Sequence, residues 1–354
     1  MKPGVNLGVN PGVLAALGAA VLFGAGTPLA KWLLAETNPW MLAGLFYVGS
    51  GCGLMIYRWL SAATPVRLAR NEIGWLAGAT LSGGAIAPVL LMAGLAGMPA
   101  SGASLLLNAE GVLTALLAWV AFGEHVDRRI ALGMAAIAGG ALLLSWPADL
   151  SFAGLLPALS ILGACLAWGI DNNLTRKVSL NDATWITSIK GLVAGSVNLL
   201  LALALGSALP PLPVVAGALV VGFLSYGVSL ALFVVGLRYL GTARTGAYFS
   251  VAPFVGATLA LALGEPLTLR LVVAGLLMGA GVWLHLTERH SHAHRHEPMD
   301  HTHEHVHDEH HRHDHPDQPD LIPSPELRHT HWHHHEPITH THAHFPDPHH
   351  RHGH

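Results

Sequence analysis

Residues 110–124 read EGVLTALLAWVAFGE, and residues 251–265 read VAPFVGATLALALGE. Both are long apolar runs that close on a Gly-Glu pair, and Gly123-Glu124 lies 141 residues before Gly264-Glu265. The correspondence extends both ways. Arg129 matches Arg270 and Gly140 matches Gly281. Upstream, Gly94-Leu95 matches Gly236-Leu237, and Phe23-Gly24 with Lys31 matches Trp168-Gly169 with Arg176. Self-similarity of this kind marks an internal repeat.

The medium in which the repeat folds follows from composition. The chain is 52% hydrophobic and only 11% charged, against roughly 25% charged in an ordinary soluble domain. A helix needs about 20 mostly apolar residues to cross a bilayer. Ten segments qualify: 12–34, 40–60, 73–97, 100–121, 129–146, 157–179, 183–205, 213–240, 243–263 and 269–286. Turn chemistry separates them, as at Glu36-Thr37-Asn38-Pro39, Gly97-Met98-Pro99 and Pro210-Pro211. Each copy of the repeat holds five segments, and an odd number turns the second copy upside down in the membrane. The expected fold class is therefore an all-α membrane protein of two inverted five-helix repeats, over residues 1–146 and 147–288. A C-terminal tail over 289–354 completes it. The first apolar run exceeds signal-core length and has no small-residue exit, which predicts a retained span rather than a cleaved leader.

Lys and Arg set the orientation. With the N-terminus inside, the inner loops collect Lys2, Arg58, Arg67, Arg70, Arg128, Arg129, Arg176, Lys177, Arg238 and Arg244, while Lys31 and Arg270 fall outside. An even number of crossings then returns the C-terminus to the cytoplasm. A multi-pass protein of the inner (cytoplasmic) membrane, with both termini cytoplasmic, is expected. Cys52 and Cys165 each sit alone in an apolar run. They are too few and isolated for a disulfide framework or a thiolate zinc site, and are expected as small buried apolar residues.

With these residues in place, the chain resembles the drug/metabolite transporter superfamily, specifically the EamA-like transporters. The resemblance rests on residues 103–110 (ASLLLNAE), on the run through Glu124 and its second copy ending at Glu265, and on Trp168-Gly169. It covers residues 12–288. It implies a ten-helix transporter rather than an enzyme, working in the lipid bilayer on a small-molecule or ion substrate, and it does not identify the cargo. One departure stands out. The family usually has Glu-Pro where this chain has Glu110-Gly111; proline survives only in the second copy, as Pro253. The family does not include the tail.

Charged groups at membrane depth are costly and mark substrate routes, relays or structural pairs. Glu110 lies about ten residues into the fourth segment, ~15 Å along its axis, near the bilayer centre. It is a candidate proton-coupling or substrate-contacting acid, and equally a structural hydrogen-bonding group. Asp171 in the sixth segment and Lys190 in the seventh reach similar depths on neighbouring antiparallel helices, which predicts an ion pair. Asn172 and Asn173 can meet polar cargo or join helices. Lys31 and Arg176 are expected to snorkel. Gly191-x-x-x-Gly195 and Gly275-x-x-x-Gly279 permit close helix approach, within the bundle or in a homodimer. No phosphate loop or catalytic triad is legible, and Gly24-x-Gly26 lies inside a membrane segment. Gradient-driven or facilitated transport is the expectation.

The tail is chemically another substance. From Arg289 onward it holds 24 of the 26 histidines, with eleven acids and many prolines. That composition cannot bury a core and predicts disorder without metal. Imidazole suits Zn, Ni and Co. The candidate ligands are His301, His303, His305, His307, His310, His311, His313, His315, His331, His333, His334 and His335. Binding needs neutral imidazoles, so affinity is expected to fall below pH ~6.5. No cofactor is required for transport. The reading that best fits the whole is a secondary exporter of a small polar metabolite, tuned by metal on the tail. Its competitors are a Ni, Co or Zn exporter fed by the tail, and a membrane-anchored metal buffer or sensor.

Overall fold

The computed structural model describes residues 11–66, 68–122, 128–146, 152–178, 181–286, 291–295, 299–305, 329–335 and 339–343. The described part of residues 1–288 is helical and forms one compact unit; residues 289–354 form a second. The helices are α1 (Pro11–Leu33), α2 (Pro39–Leu60), α3 (Ile73–Ala79), α4 (Ala87–Gly97), α5 (Ala100–Leu106), α6 (Ala109–Phe122), α7 (Arg128–Ser145), α8 (Phe152–Thr175), α9 (Ala183–Ala204), α10 (Leu212–Gly222), α11 (Ser229–Phe249), α12 (Ala252–Ala262) and α13 (Leu269–Leu286). A π-helical stretch, Thr80–Ile86, joins α3 to α4, and another, Phe223–Val228, joins α10 to α11.

Local chemistry fixes many of the ends. Asn38 caps α2 by accepting from the Met41 N–H at 3.0 Å, and Pro39 opens the helix, where a missing N–H costs nothing. Asp182 caps α9 through the N–H groups of Thr184 and Trp185. Gly206 and Gly264 sit at positive φ just past α9 and α12, where only glycine is unstrained.

Among the described residues, seven stretches are long and apolar enough to cross a membrane, and shorter apolar helices cover Ala131–Ser145, Ala252–Ala262 and Leu269–Leu284. The outward surface carries Leu, Ile and Val, with Trp32, Trp59, Trp75 and Trp146 exposed near helix ends. That is the distribution expected of a lipid-facing belt with aromatic residues at the two interfaces. Cys52 lies on this exposed surface, which corrects the expectation that both cysteines are buried. An apolar side chain needs no burial in protein when the solvent is lipid.

The repeats pack as their sequence implies. Counterparts α2 and α9 lie against each other, with Gly44 over Leu199, Val48 over Gly195 and Gly51 over Gly191. The residue numbers run in opposite senses, so the two counterparts are antiparallel. The same holds for α7 and α13, where Gly140 faces Met278 and Gly281 faces Gly133 and Ile137. Gly191 and Gly195 thus serve contacts inside the bundle. A Cβ at Gly191 would come within 2.8 Å of the Tyr47 carbonyl, so only glycine allows this approach.

Two joints differ from the segment boundaries read in the sequence. The helix that opens at Ser229 is continuous to Phe249, across the expected break near 241–242. Yet a Cβ at Gly236 would stand 2.9 Å from the Thr245 side chain, whereas nine residues of straight helix span ~13 Å. The chain therefore doubles back here within helical turns. In the first repeat, the fourth segment breaks at Leu107-Asn108, directly before Glu110. No proline is involved: the Asn108 side chain donates to the Leu105 carbonyl at 2.9 Å and holds the joint. The second repeat breaks at the matching place, Ser250-Val251, ahead of Pro253.

In the tail, β1 (Ser291–Arg295) pairs with β4 (Thr339–Ala343), and β2 (Met299–His305) with β3 (His329–His335), both antiparallel. These four strands are the described segments of the tail, for which composition predicts disorder without metal. Alternating Thr and His suits an extended backbone better than the proline count suggests.

Candidate functional site

Asp171 and Lys190 form a close charged pair in the core. Lys190 Nζ donates to the two Asp171 carboxylate oxygens at 2.5 and 2.6 Å. Thr175 adds a hydroxyl that donates to Asp171 at 2.8 Å and lies 3.3 Å from Lys190 Nζ. Both charged side chains are largely buried. The pair is possible because of the π-helical stretch beside it. Gly83 faces Asp171 so closely that any Cβ there would overlap the carboxylate.

A π-helical turn frees backbone carbonyls from their usual partners, and three side chains take them up. Tyr47 Oη and Trp168 Nε1 donate to the Gly83 carbonyl at 2.8 and 3.0 Å. Asn198 reaches the Gly84 carbonyl at 3.4 Å. The Ser82 hydroxyl donates to the Ala167 carbonyl at 2.7 Å, fixing the stretch to α8.

Glu110 completes the centre from α6. The Asn172 side chain donates to its carboxylate at 2.9 Å, and Asn173 donates to the backbone carbonyls of Thr114 and Gly169. Asn172 is exposed while Asn173 is buried. Asn173 thus ties α8 to α6, and Asn172 is the amide free to exchange partners. Close packing at Gly169, whose Cβ would lie 3.2 Å from the Thr114 nitrogen, brings these helices together. Glu110, Asp171, Asn172, Asn173 and Lys190 are all brought to one region by α6, α8 and α9.

Aromatic rings from both repeats pack beside this centre. In the second π-helical stretch, Tyr226 packs against Tyr47 at 5.6 Å, Phe23 at 5.6 Å and Phe46 at 5.9 Å between ring centroids. Phe249 extends the cluster through Phe23 at 5.4 Å. The two π-helical stretches are repeat counterparts: Leu81-Ser82-Gly83-Gly84 matches Leu224-Ser225-Tyr226-Gly227. A symmetric scaffold therefore carries an asymmetric centre, charged on one side and aromatic on the other. Tyr47, Ser82, Trp168, Asn198 and Tyr226 were not singled out in the sequence as members of this centre. The repeated Leu-Ser pair was the available signal.

At one end of the bundle, Lys31 Nζ donates to the Leu95 and Ala96 carbonyls at 2.7 and 3.1 Å, at the C-terminus of α4. Beside it, Glu265 accepts from the Ala100 and Ser101 N–H groups at 2.6 and 2.8 Å. At the other end, Arg58 bridges to Asp182 at 2.6 Å and to Thr184 at 2.8 Å. The Glu265 and Arg58 contacts join first-repeat to second-repeat segments at the two ends, while the Lys31 contacts stay within the first repeat. His301, His303, His305, His331, His333, His334 and His335 lie on tail strands; His307, His310, His311, His313 and His315 lie outside the described residues.

The EamA-like transporter family matches this chain twice, over residues 10–146 and 155–287. The chain belongs to the EamA-like transporter family. A relative described as an uncharacterised transporter of Methanothermobacter thermautotrophicus is 28% identical over 294 residues, which is 77% of this chain and 85% of the relative. One solved crystal structure, at 16% identity, superposes with a TM-score of 0.59 over 77% of this chain and 94% of the other; this likeness concerns the fold. This EamA-like protein is thus a membrane transporter of two repeats.

Proposed function

We propose that this EamA-like protein exports a small polar metabolite across the cytoplasmic membrane. Its two inverted halves would alternate access to the centre formed by Glu110, Asp171, Asn172, Asn173 and Lys190. The observation that carries the reading is the Asp171–Lys190 pair, set against a π-helical stretch and one residue from the Glu110–Asn172 hydrogen bond. A neutral ion pair keeps charge affordable at depth. The Asn172 amide and Glu110 carboxylate offer bonds that a polar solute can replace one for one. The rings of Tyr47 and Tyr226 pack beside this centre. Glu110 is also the acid best placed to couple transport to protons.

Ten crossings with both termini cytoplasmic fit the reversal between Gly236 and Thr245 and the distribution of Lys and Arg. Divalent metal on the tail acts in this reading as a regulator. Direct metal export is less favoured, because no group of three His, Cys, Asp or Glu gathers among the described residues. A homodimer is compatible with the fold.

Proteoliposomes loaded with a defined mixture of polar metabolites, and assayed for efflux with and without a proton gradient, test the reading. Efflux of one class, lost in Glu110→Gln, is expected. Efflux of Zn or Ni that depends on residues 289–354, with no organic solute moved, would overturn it.

A further inference from the structure

Helices α2 and α9 are antiparallel counterparts, so the last turn of α2 meets the first turn of α9. One guanidinium ties three segments there. Arg58, buried near the end of α2, pairs with Asp182 at 2.6 Å and donates to the Thr184 hydroxyl at 2.8 Å and the Thr64 carbonyl at 3.0 Å. The Thr184 hydroxyl in turn donates to Asp182 at 2.6 Å. The turn that brings Thr64 back to Arg58 is a helix stop of the Schellman type, with the Ala63 N–H on the Arg58 carbonyl and the Ala62 N–H on the Trp59 carbonyl. Its left-handed position, where glycine is usual, is held by Ala62 at φ 49°, and among the described residues no other non-glycine residue has positive φ. The backbone is therefore strained where the contact is made.

A second tie fastens the same connection. The Glu72 carboxylate accepts from the Ala69 N–H at 2.9 Å and from the Asn181 side chain at 3.2 Å. Between the two polar ties, Leu68 packs with Trp185 against the buried residues Leu76, Val178 and Ile186. Arg58, Leu68 and Glu72 of the first repeat are thus bound to the second repeat by charge, hydrogen bonds and apolar contact together.

The repeat does not build this arrangement at its other end. Aligning α2 with α9 at their caps matches Asn38 to Asp182 and Ala202 to Arg58. The positions equivalent to the ion pair are therefore uncharged, and the repeats are joined there through Glu265 and the Ala100 and Ser101 N–H groups instead. Lys190 follows Asp182 by eight residues, ~12 Å along α9, so the tie lies at the end of α9 nearer to the Asp171–Lys190 pair. We propose that Arg58, Asp182, Thr184, Glu72 and Asn181 form a latch that closes this end of the solute route, with the strained turn at Ala62 as the joint at which it opens. The proposal rests on the reading that the route passes Glu110 and Asn172. Strain in the closed turn opposes the ties that hold it, as is usual at switch regions, so the latch holds this end shut and keeps the open state accessible.

The test uses the full-length protein in sealed vesicles of known orientation, with Asn172→Cys as the probe and a membrane-impermeant maleimide applied from either face. Arg58→Gln is expected to raise the labelling rate at least about fivefold from the face where α2 ends, and to lower it from the opposite face. Glu72→Ala leaves the buried charge pair in place and shifts labelling the same way by a smaller factor, which keeps the test decisive if Arg58→Gln does not fold. Ala62→Gly relieves the closed turn and shifts labelling the other way, by about threefold. A merely structural role for these residues alters stability and leaves the balance between the two faces untouched. An unchanged balance in every folded variant overturns the latch while the route stands. Failure of Asn172→Cys to label from either face in any background overturns the route, and the latch with it.

Discussion

Lys190 Nζ sits 2.5 and 2.6 Å from the two oxygens of Asp171, on the helix that is the antiparallel neighbour of α2 and the partner of α8. Removing one partner of a buried pair leaves an uncompensated charge and costs about 3–5 kcal/mol, while removing both costs far less. Asp171→Asn and Lys190→Met are each expected to lower thermal stability and efflux. The double variant recovers much of the stability. Additive melting losses in that cycle would show that the two charges do not act as a pair.

Gly83 permits the pair. Gly83→Ala would force a methyl group into the Asp171 carboxylate, an overpacking cost of about 1–3 kcal/mol, together with displacement of the ion pair. Gly74→Ala, on an open helix surface with nothing within 4 Å, is neutral or stabilises by up to ~1 kcal/mol. Comparing the two melting temperatures in one detergent checks this. Equal effects would remove the close approach from the account.

Acid sensitivity belongs to one end of the bundle. Burial raises the Asp182 carboxyl, but hydrogen bonds from Thr184, Arg58 and Trp185 and the Arg58 charge outweigh it and hold it at about 2. A carboxyl whose folded value lies below its unfolded one stabilises the fold at pH above the unfolded value. That stabilisation fades as the pH falls through the folded value. The window therefore runs from pH ~4 down to ~2. Since a third of the side chain is exposed, the effect is modest. Asp182→Asn is expected to be less stable than the parent at neutral pH and to lose less stability across that window. Parallel melting curves for both proteins between pH 4 and 2 would contradict this.

Glu265 holds the N-terminus of α5 through two N–H groups. Glu265→Ala leaves both without a partner, at about 0.5–2 kcal/mol. Glu265→Gln keeps one acceptor oxygen and loses less. Thermal unfolding of both variants reads the order, and an alanine variant as stable as the parent removes the cap from the account.

Hydropathy and repeat matching made the spans, the antiparallel counterparts and the Asp171–Lys190 pair legible, because each follows from spacing along apolar helices. The π-helical stretches were not. Thr80–Ile86 differs from its neighbours in backbone hydrogen bonding rather than in polarity, so a hydropathy profile passes over it. The helix break before Glu110 was hidden because Asn108 supplies what a proline supplies elsewhere. Tyr226 reads as one aromatic among many until folding sets it against Tyr47. The tail register depends on pairing across residues 306–328, a long-range fact that composition does not carry.

Whether water reaches the polar centre is the most direct test of a solute route. Asn172, exposed beside Glu110, can be replaced as Asn172→Cys and treated with a membrane-impermeant maleimide from each face of sealed vesicles. Cys165 is buried and Cys52 lies on the apolar outer surface, so the parent protein is the built-in control. Labelling from one face, slowed by a transported solute, is the expected result. An Asn172→Cys protein that stays unlabelled from both faces, like its parent, would contradict a route through Glu110, Asp171 and Lys190.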